Sequence, residues 1–170
     1  SFCSLARFIW KTRMMHVFLT QLATLGPIGR YVPAPGTAGS VTALIAGFFL
    51  AKNGFIILFL ALMLVTILGV FAADSYSQLT NTDDASEVII DEVAGQWVVL
   101  LCIPPNIDLA LLWYVAGFIL FRLFDILKPW PVSVAERLPG GIGVMADDVV
   151  AGSLAGMAIL IAQLFIIFTD

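Results

Sequence analysis

Residues 147–168, DDVVAGSLAGMAILIAQLFIIF, decide the fold: two adjacent carboxylates open a run, 149–168, that carries no further charge. A bilayer crossing takes about 20 helical residues. The run therefore reads as a transmembrane helix whose acidic opening lies at a membrane edge. Working outward, apolar segments at about 39–51, 54–73, 88–103 and 109–127 repeat the pattern between short polar or Pro-containing breaks. Lipid offers no hydrogen-bond partners to an irregular backbone, so the spans must be helical. The expectation is one membrane-embedded domain over 1–170, an all-α polytopic bundle of about four crossings with 1–19 as a basic peripheral segment. The 39–51 segment is short enough to be re-entrant or half of a hairpin turning at Lys52-Asn53-Gly54, and 88–103 spans if Asp91 and Glu92 lie at the interface.

Composition agrees: 61% hydrophobic and 12% charged residues, with mean hydropathy +1.03, exclude a soluble globule. A net charge of -4 with eight Lys and Arg excludes a nucleic-acid partner, which requires a basic excess. The partner should be lipid-borne or small. Cys3 and Cys102 share no metal-ligand spacing and read as packing residues. Arg7, Lys11 and Arg13 before apolar 17–25 resemble a secretory signal, but no small-residue cleavage site follows. A cytoplasmic basic N-terminus is the better reading, and Met14 and Met15 leave the natural start open.

Basic residues set the orientation. Arg7, Lys11, Arg13 and Arg30 precede the first hairpin, and Lys128 and Arg137 lie in the 128–146 loop, so these segments face the cytoplasm. The 74–90 segment is then cytoplasmic and 104–108 is the far-side turn. Asp91 and Glu92 open one span, Asp125 closes the next, and Asp147 and Asp148 open the last, so all five carboxylates converge on one membrane face. Gly152 and Gly156 form a small-residue face that permits the close helix approach this convergence needs.

Several carboxylates at one level of the bilayer edge repel one another and resist desolvation. A hard divalent cation such as Mg²⁺ would neutralise them, and Asp91, Glu92, Asp125, Asp147 and Asp148 are the candidate ligands and catalytic acids. For any one acid, a solvated helix cap is the plainer role. Arg122, three residues before Asp125, and Lys128 are candidates for phosphate oxygens; a simple ion pair and a snorkelling anchor are their alternatives. Two Gly-rich stretches, 33–40 and 139–145, could offer backbone N–H groups to phosphate, with Thr37 and Ser40 as further substrate contacts. His16 is the sole histidine and reads as structural or interfacial, which excludes a two-histidine mechanism. Neither cysteine precedes an arginine at phosphate-loop spacing and no Asp-x-Asp pair occurs. Metal-activated water with a carboxylate base, or an atypical Asp nucleophile, remains.

With Pro35-Gly36-Thr37-x-Gly39-Ser40, Asp91-Glu92-x-x-Gly95, Phe121-Arg122-x-x-Asp125-x-x-Lys128-Pro129-Trp130-Pro131 and Gly140-Gly141-x-Gly143-x-Met145-x-Asp147-Asp148-x-x-Ala151-Gly152, the sequence resembles the phosphatidylglycerophosphatase A family over about 20–157. The resemblance implies a bacterial inner-membrane enzyme with Mg²⁺-dependent hydrolysis of phosphatidylglycerophosphate to phosphatidylglycerol and phosphate, and acidic positions needed for activity. A cation transporter with a carboxylate-lined site is the alternative, because intramembrane acids often mark ion paths. A structural subunit without chemistry is the second alternative. Oligomeric state stays open, a homo-oligomer included.

Overall fold

The computed structural model describes residues 14–82, 85–104, 106 and 110–169. Cys3, the basic positions 7, 11 and 13, and most of the 104–108 turn lie outside the described residues. The chain order is α1 (Met14–Ala23), α2 (Ile28–Tyr31), α3 (Pro35–Ala51), α4 (Phe55–Thr80), α5 (Ile90–Leu101), α6 (Ala110–Leu127), α7 (Val132–Ala135) and α8 (Gly140–Thr169). No strand occurs among the described residues.

Three helices, α4, α6 and α8, are long and apolar enough to cross a membrane. Their outward faces are the large exposed apolar side chains of a lipid-facing surface, such as Phe59, Ile119 and Phe165. The expected hairpin is present, with α3 ending at Ala51 and α4 beginning at Phe55. The 88–103 segment is a different object from the span its apolarity suggests. Its helix, α5, holds 12 residues, a rise of about 18 Å against a hydrocarbon core of about 30 Å. It is short because it is internal. Ile90, Val93, Ala94, Val99 and Leu100 are buried, and α3, α4, α6 and α8 all pack around it.

Two helices outrun the sequence expectation. Residues 74–80 contain no Gly or Pro, so α4 continues to Thr80 and stops where Asn81 takes a left-handed conformation (φ 53°). The Gly-rich 139–145 stretch is the first two turns of α8 and no loop. Asp74 of α4 explains its start: its Oδ1 accepts the Gly141 N–H at 2.5 Å, capping α8 from a neighbouring helix.

Helices α5 and α8 cross with their backbones in close contact. A Cβ on Gly152 would meet the Gly95 carbonyl oxygen, and one on Gly95 would meet the fully buried Phe121 and, at 2.7 Å, the Asp148 carbonyl. Backbones this near are possible only without side chains between them, and in lipid such packing is the main source of helix association. Gly156 sits against Cys102 Sγ, which bears out a packing role for that cysteine. The Trp97 indole N–H donates to the Ala43 carbonyl at 2.9 Å and pins α5 to α3. His16 ties α1 to α4 through Ser75 (Nδ1 to Oγ 2.8 Å), the structural role expected of it.

Candidate functional site

The N-terminal ends of α3, α5 and α8 meet the C-terminal end of α6 around a cavity of about 290 Å³. Asp91, Glu92, Asp125, Asp147 and Asp148 all line it. So do Arg122, Lys128 and Thr37. Eight of the nine residues singled out from sequence thus share one cavity. The ninth, Ser40, lies behind its wall, fully buried, and its hydroxyl donates to Glu92 Oε2 at 2.5 Å.

Each acidic pair has the same local form. Asp91 Oδ1 accepts the Glu92 N–H at 2.8 Å, and Asp147 Oδ1 accepts the Asp148 N–H at 3.0 Å. The first lies in the opening turn of α5, where the macrodipole of a helix N-terminus favours it, whereas Asp147 and Asp148 lie two turns inside α8. Within each pair one acid is then engaged by a cation and the other is not. Arg122 Nη1 donates to Glu92 Oε1 and, at 2.6 Å, to Asp125 Oδ2. Lys128 Nζ contacts Asp147 Oδ2 at 2.8 Å and Glu136 Oε1 at 2.7 Å. Asp91 and Asp148 carry no ion pair among the described residues.

Arg122 is held by one nitrogen only. Its Nε is buried without a partner, and its Nη2 lies beside the first turn of α3, 3.2 Å from where a Cβ on Gly36 would stand. Gly36 is therefore small because Glu92 and Arg122 fill the space beside it. The first turn of α3 begins with Pro35 and has no side-chain cap, which leaves the Gly36 and Thr37 N–H groups without intrahelical acceptors. By contrast, the Gly-rich start of α8 gives its Gly141 N–H to Asp74, so only the first of the two stretches offers an anion cradle at this cavity.

Lys128 lies just past the end of α6 with φ 44°, and Ala34, which precedes α3, has φ 56°. Left-handed non-glycine residues are costly, and both of these line the cavity. Burial works against the Lys128 ammonium, but hydrogen bonds and charges from Asp147 and Glu136 outweigh it and hold its pKa above that of an ordinary lysine. Lys128 is a fixed cation.

The five acids expected as one ligand set divide into three with ion pairs and two without. No three acidic, histidine or cysteine side chains among the described residues stand at the spacing that holds a metal ion. The donor chemistry nonetheless suits a hard cation, because Asp91 and Asp148 are oxygen donors lining one cavity with no direct ion pair among the described residues. Two residues that support the site, Glu136 through Lys128 and Asp74 through the start of α8, escaped the sequence reading. Glu136 lies in a stretch without periodicity, and Asp74 reaches α8 across a sequence distance that no local pattern records.

The sequence profile of phosphatidylglycerophosphatase A matches residues 21–163, which takes in every element that builds the cavity. The chain belongs to the phosphatidylglycerophosphatase A family. Family members of that name from Haemophilus influenzae and Escherichia coli K12 are each 34% identical, over 85% and 71% of this chain and 94% and 69% of their own length. A Bacteroides thetaiotaomicron protein provisionally named a phosphatidylinositol-3-phosphatase is 40% identical over 76% of this chain and 84% of its own. No solved structure matches. Family membership makes the chain a membrane phosphatase that acts on phospholipids.

Proposed function

We propose that the chain hydrolyses phosphatidylglycerophosphate to phosphatidylglycerol and inorganic phosphate, with Mg²⁺, at the cytoplasmic face of a bacterial inner membrane. The observation that carries this reading is the pairing, in one cavity, of an anion cradle with two acids that no cation engages. The cradle consists of the Nη2 side of Arg122, the Gly36 and Thr37 N–H groups, and Lys128. A guanidinium donates in a fixed plane, whereas Lys128 acts as a point charge.

Asp91 and Asp148 would hold the cation. When bound, it would polarise the phosphoryl oxygens and lower the pKa of a water. The protein's own groups do the rest. Arg122 and the α3 N-terminus orient the phosphate and stabilise charge that develops on its oxygens. A carboxylate of the cluster accepts the proton of the attacking water as the bond from phosphorus to the glycerol oxygen breaks, and that proton is returned to the glycerol oxygen, so the lipid leaves as an alcohol and the carboxylate is regenerated. The orientation rests on the basic residues: Arg30, Lys128 and Arg137 lie toward the cavity end, and Lys52 is the one described basic residue at the opposite turn.

A transporter would need acids through the depth of the bundle. These acids gather at one end, and beyond Glu92 the remainder of α5 is apolar except for Gln96. The test is phosphate release by the purified protein in detergent from phosphatidylglycerophosphate, phosphatidic acid and phosphatidylinositol 3-phosphate, with Mg²⁺ and with excess chelator. Metal-dependent release fastest from the first lipid is expected. Fastest release from the inositol lipid would replace the substrate and keep the chemistry, and release from none by a folded protein overturns the reading.

A further inference from the structure

A second, smaller cavity of about 160 Å³ lies against the first and shares Asp91 and Asp147 with it; Glu136 and the first turns of α8 at Gly140 and Gly143 complete its wall. Lys128 stands at the partition. It lines the first cavity, yet its ammonium points to Asp147 and Glu136, which line the second. An ammonium has three donors, and these two carboxylates take two of them. To meet a phosphate bound at Arg122 and the α3 N-terminus with more than its one spare donor, Lys128 must leave a partner. Glu136 is the one it would leave. The Glu136 side chain is 46% exposed against 9% for Asp147, so water can replace the lysine on Glu136 at little cost.

We propose that Glu136 is a positioning residue that competes with phosphate for Lys128, drawing the lysine off the anion site between turnovers and so helping inorganic phosphate to leave. The left-handed backbone of Lys128 agrees with a side chain held by its partners, since such a conformation persists only where surrounding contacts maintain it. Glu136 touches neither the lipid nor the reacting atoms in this scheme. Its effect passes entirely through Lys128.

The inference rests on the phosphatase reading, so the experiment separates the two. Steady-state phosphate release from phosphatidylglycerophosphate is followed in detergent with Mg²⁺ at increasing inorganic phosphate, for the wild type, Glu136→Gln, Glu136→Asp, Lys128→Met and the Glu136→Gln/Lys128→Met double variant. Glu136→Gln should lower the inhibition constant of phosphate and the KM for lipid together, by about two- to five-fold, the range of a partly exposed ion pair. Glu136→Asp should return part of the way to wild type, and Glu136→Gln should add nothing once Lys128 is Met. A wild type that releases no phosphate from any lipid removes the phosphatase reading itself. An active wild type whose phosphate inhibition is unmoved by Glu136→Gln, or moved equally without Lys128, overturns the role of Glu136 alone. A purely structural Glu136 would lower kcat and thermal stability together while leaving phosphate affinity where it was.

Discussion

Helix propensity and the site disagree about Gly36→Ala, and the disagreement makes the substitution informative. Alanine is a better helix former than glycine by up to about 1 kcal/mol in a helix interior, so propensity alone forecasts neutral or improved stability in the first turn of α3. The space forecasts the opposite. The new Cβ would fall on Glu92 Oε1 and stand 3.2 and 3.4 Å from Nη2 and Nη1 of Arg122. Glu92 cannot swing clear, because Ser40 holds its other oxygen and the residue is only 7% exposed. Accommodation must break the contact with Ser40 or the contact with Arg122. A hydrogen bond to a charged group contributes about 1.5–3 kcal/mol, which corresponds to a loss of about 10- to 100-fold in kcat/KM if the arginine edge is displaced. The assay is phosphate release in detergent, with thermal unfolding measured alongside. Shortening the acid should make room, so Gly36→Ala should cost little in a Glu92→Asp background, a coupling that a double-mutant cycle reads directly. Full activity for Gly36→Ala alone would refute the claim that Glu92 and Arg122 form a rigid wall beside the α3 N-terminus.

Asp125→Asn should keep the helical bundle, since the amide oxygen can still accept from Arg122 Nη1, yet reduce phosphate release by about a hundredfold or more, the scale of losing a charged catalytic group. Circular dichroism and the release assay together check it, and retained activity removes Asp125 from the site. Asp74→Ala removes the cap on α8 and should cost about 0.5–2 kcal/mol, read as a lower unfolding midpoint with activity largely preserved well below it. An unchanged midpoint would mean that the Gly141 N–H finds another acceptor.

The helical class, the hairpin at 52–54 and the convergence of five acids were legible because each rests on a strong local signal: apolar runs of membrane length, a turn sequence, and charges at run ends. What escaped has a common physical cause. Apolarity says that a segment avoids water but does not say whether lipid or protein surrounds it, so α5 read as a span although it is an internal helix. The repeated form Asp91-Glu92-x-x-Gly95 and Asp147-Asp148-x-x-Ala151-Gly152 does carry the packing, because Gly95 and Gly152 are the contact that brings the pairs together. Partner assignment lay beyond reach. Nothing local in the sequence distinguishes Glu92, bound by Ser40 and Arg122, from Asp91 beside it. The Gly-rich start of α8 looked like an anion loop for the same reason, since its occupant Asp74 comes from another helix.

Helix lengths offer a physical account of how such a site could reach a phosphate without pulling the lipid out of the membrane. Helices α4 and α8 span about 39 and 45 Å at 1.5 Å per residue, more than the hydrocarbon core of about 30 Å. Their excess lies at the cavity end: residues 74–80 of α4 and 140–146 of α8, each a rise of about 10 Å, joined by the Asp74 cap. Asp147 and Asp148 begin where that extension ends, and Asp91 and Glu92 are held beside them by the Gly95 and Gly152 contact. On the proposed reading this depth is the boundary between headgroups and acyl chains. A lipid phosphate sits there already, so binding requires lateral entry and no extraction. A full-length α5 would have carried its acids through to the aqueous face. A helix of 12 residues enclosed by longer neighbours keeps them inside the rim, where a lower dielectric strengthens their attraction for a cation and makes that cation the link between the acids and a phosphate dianion.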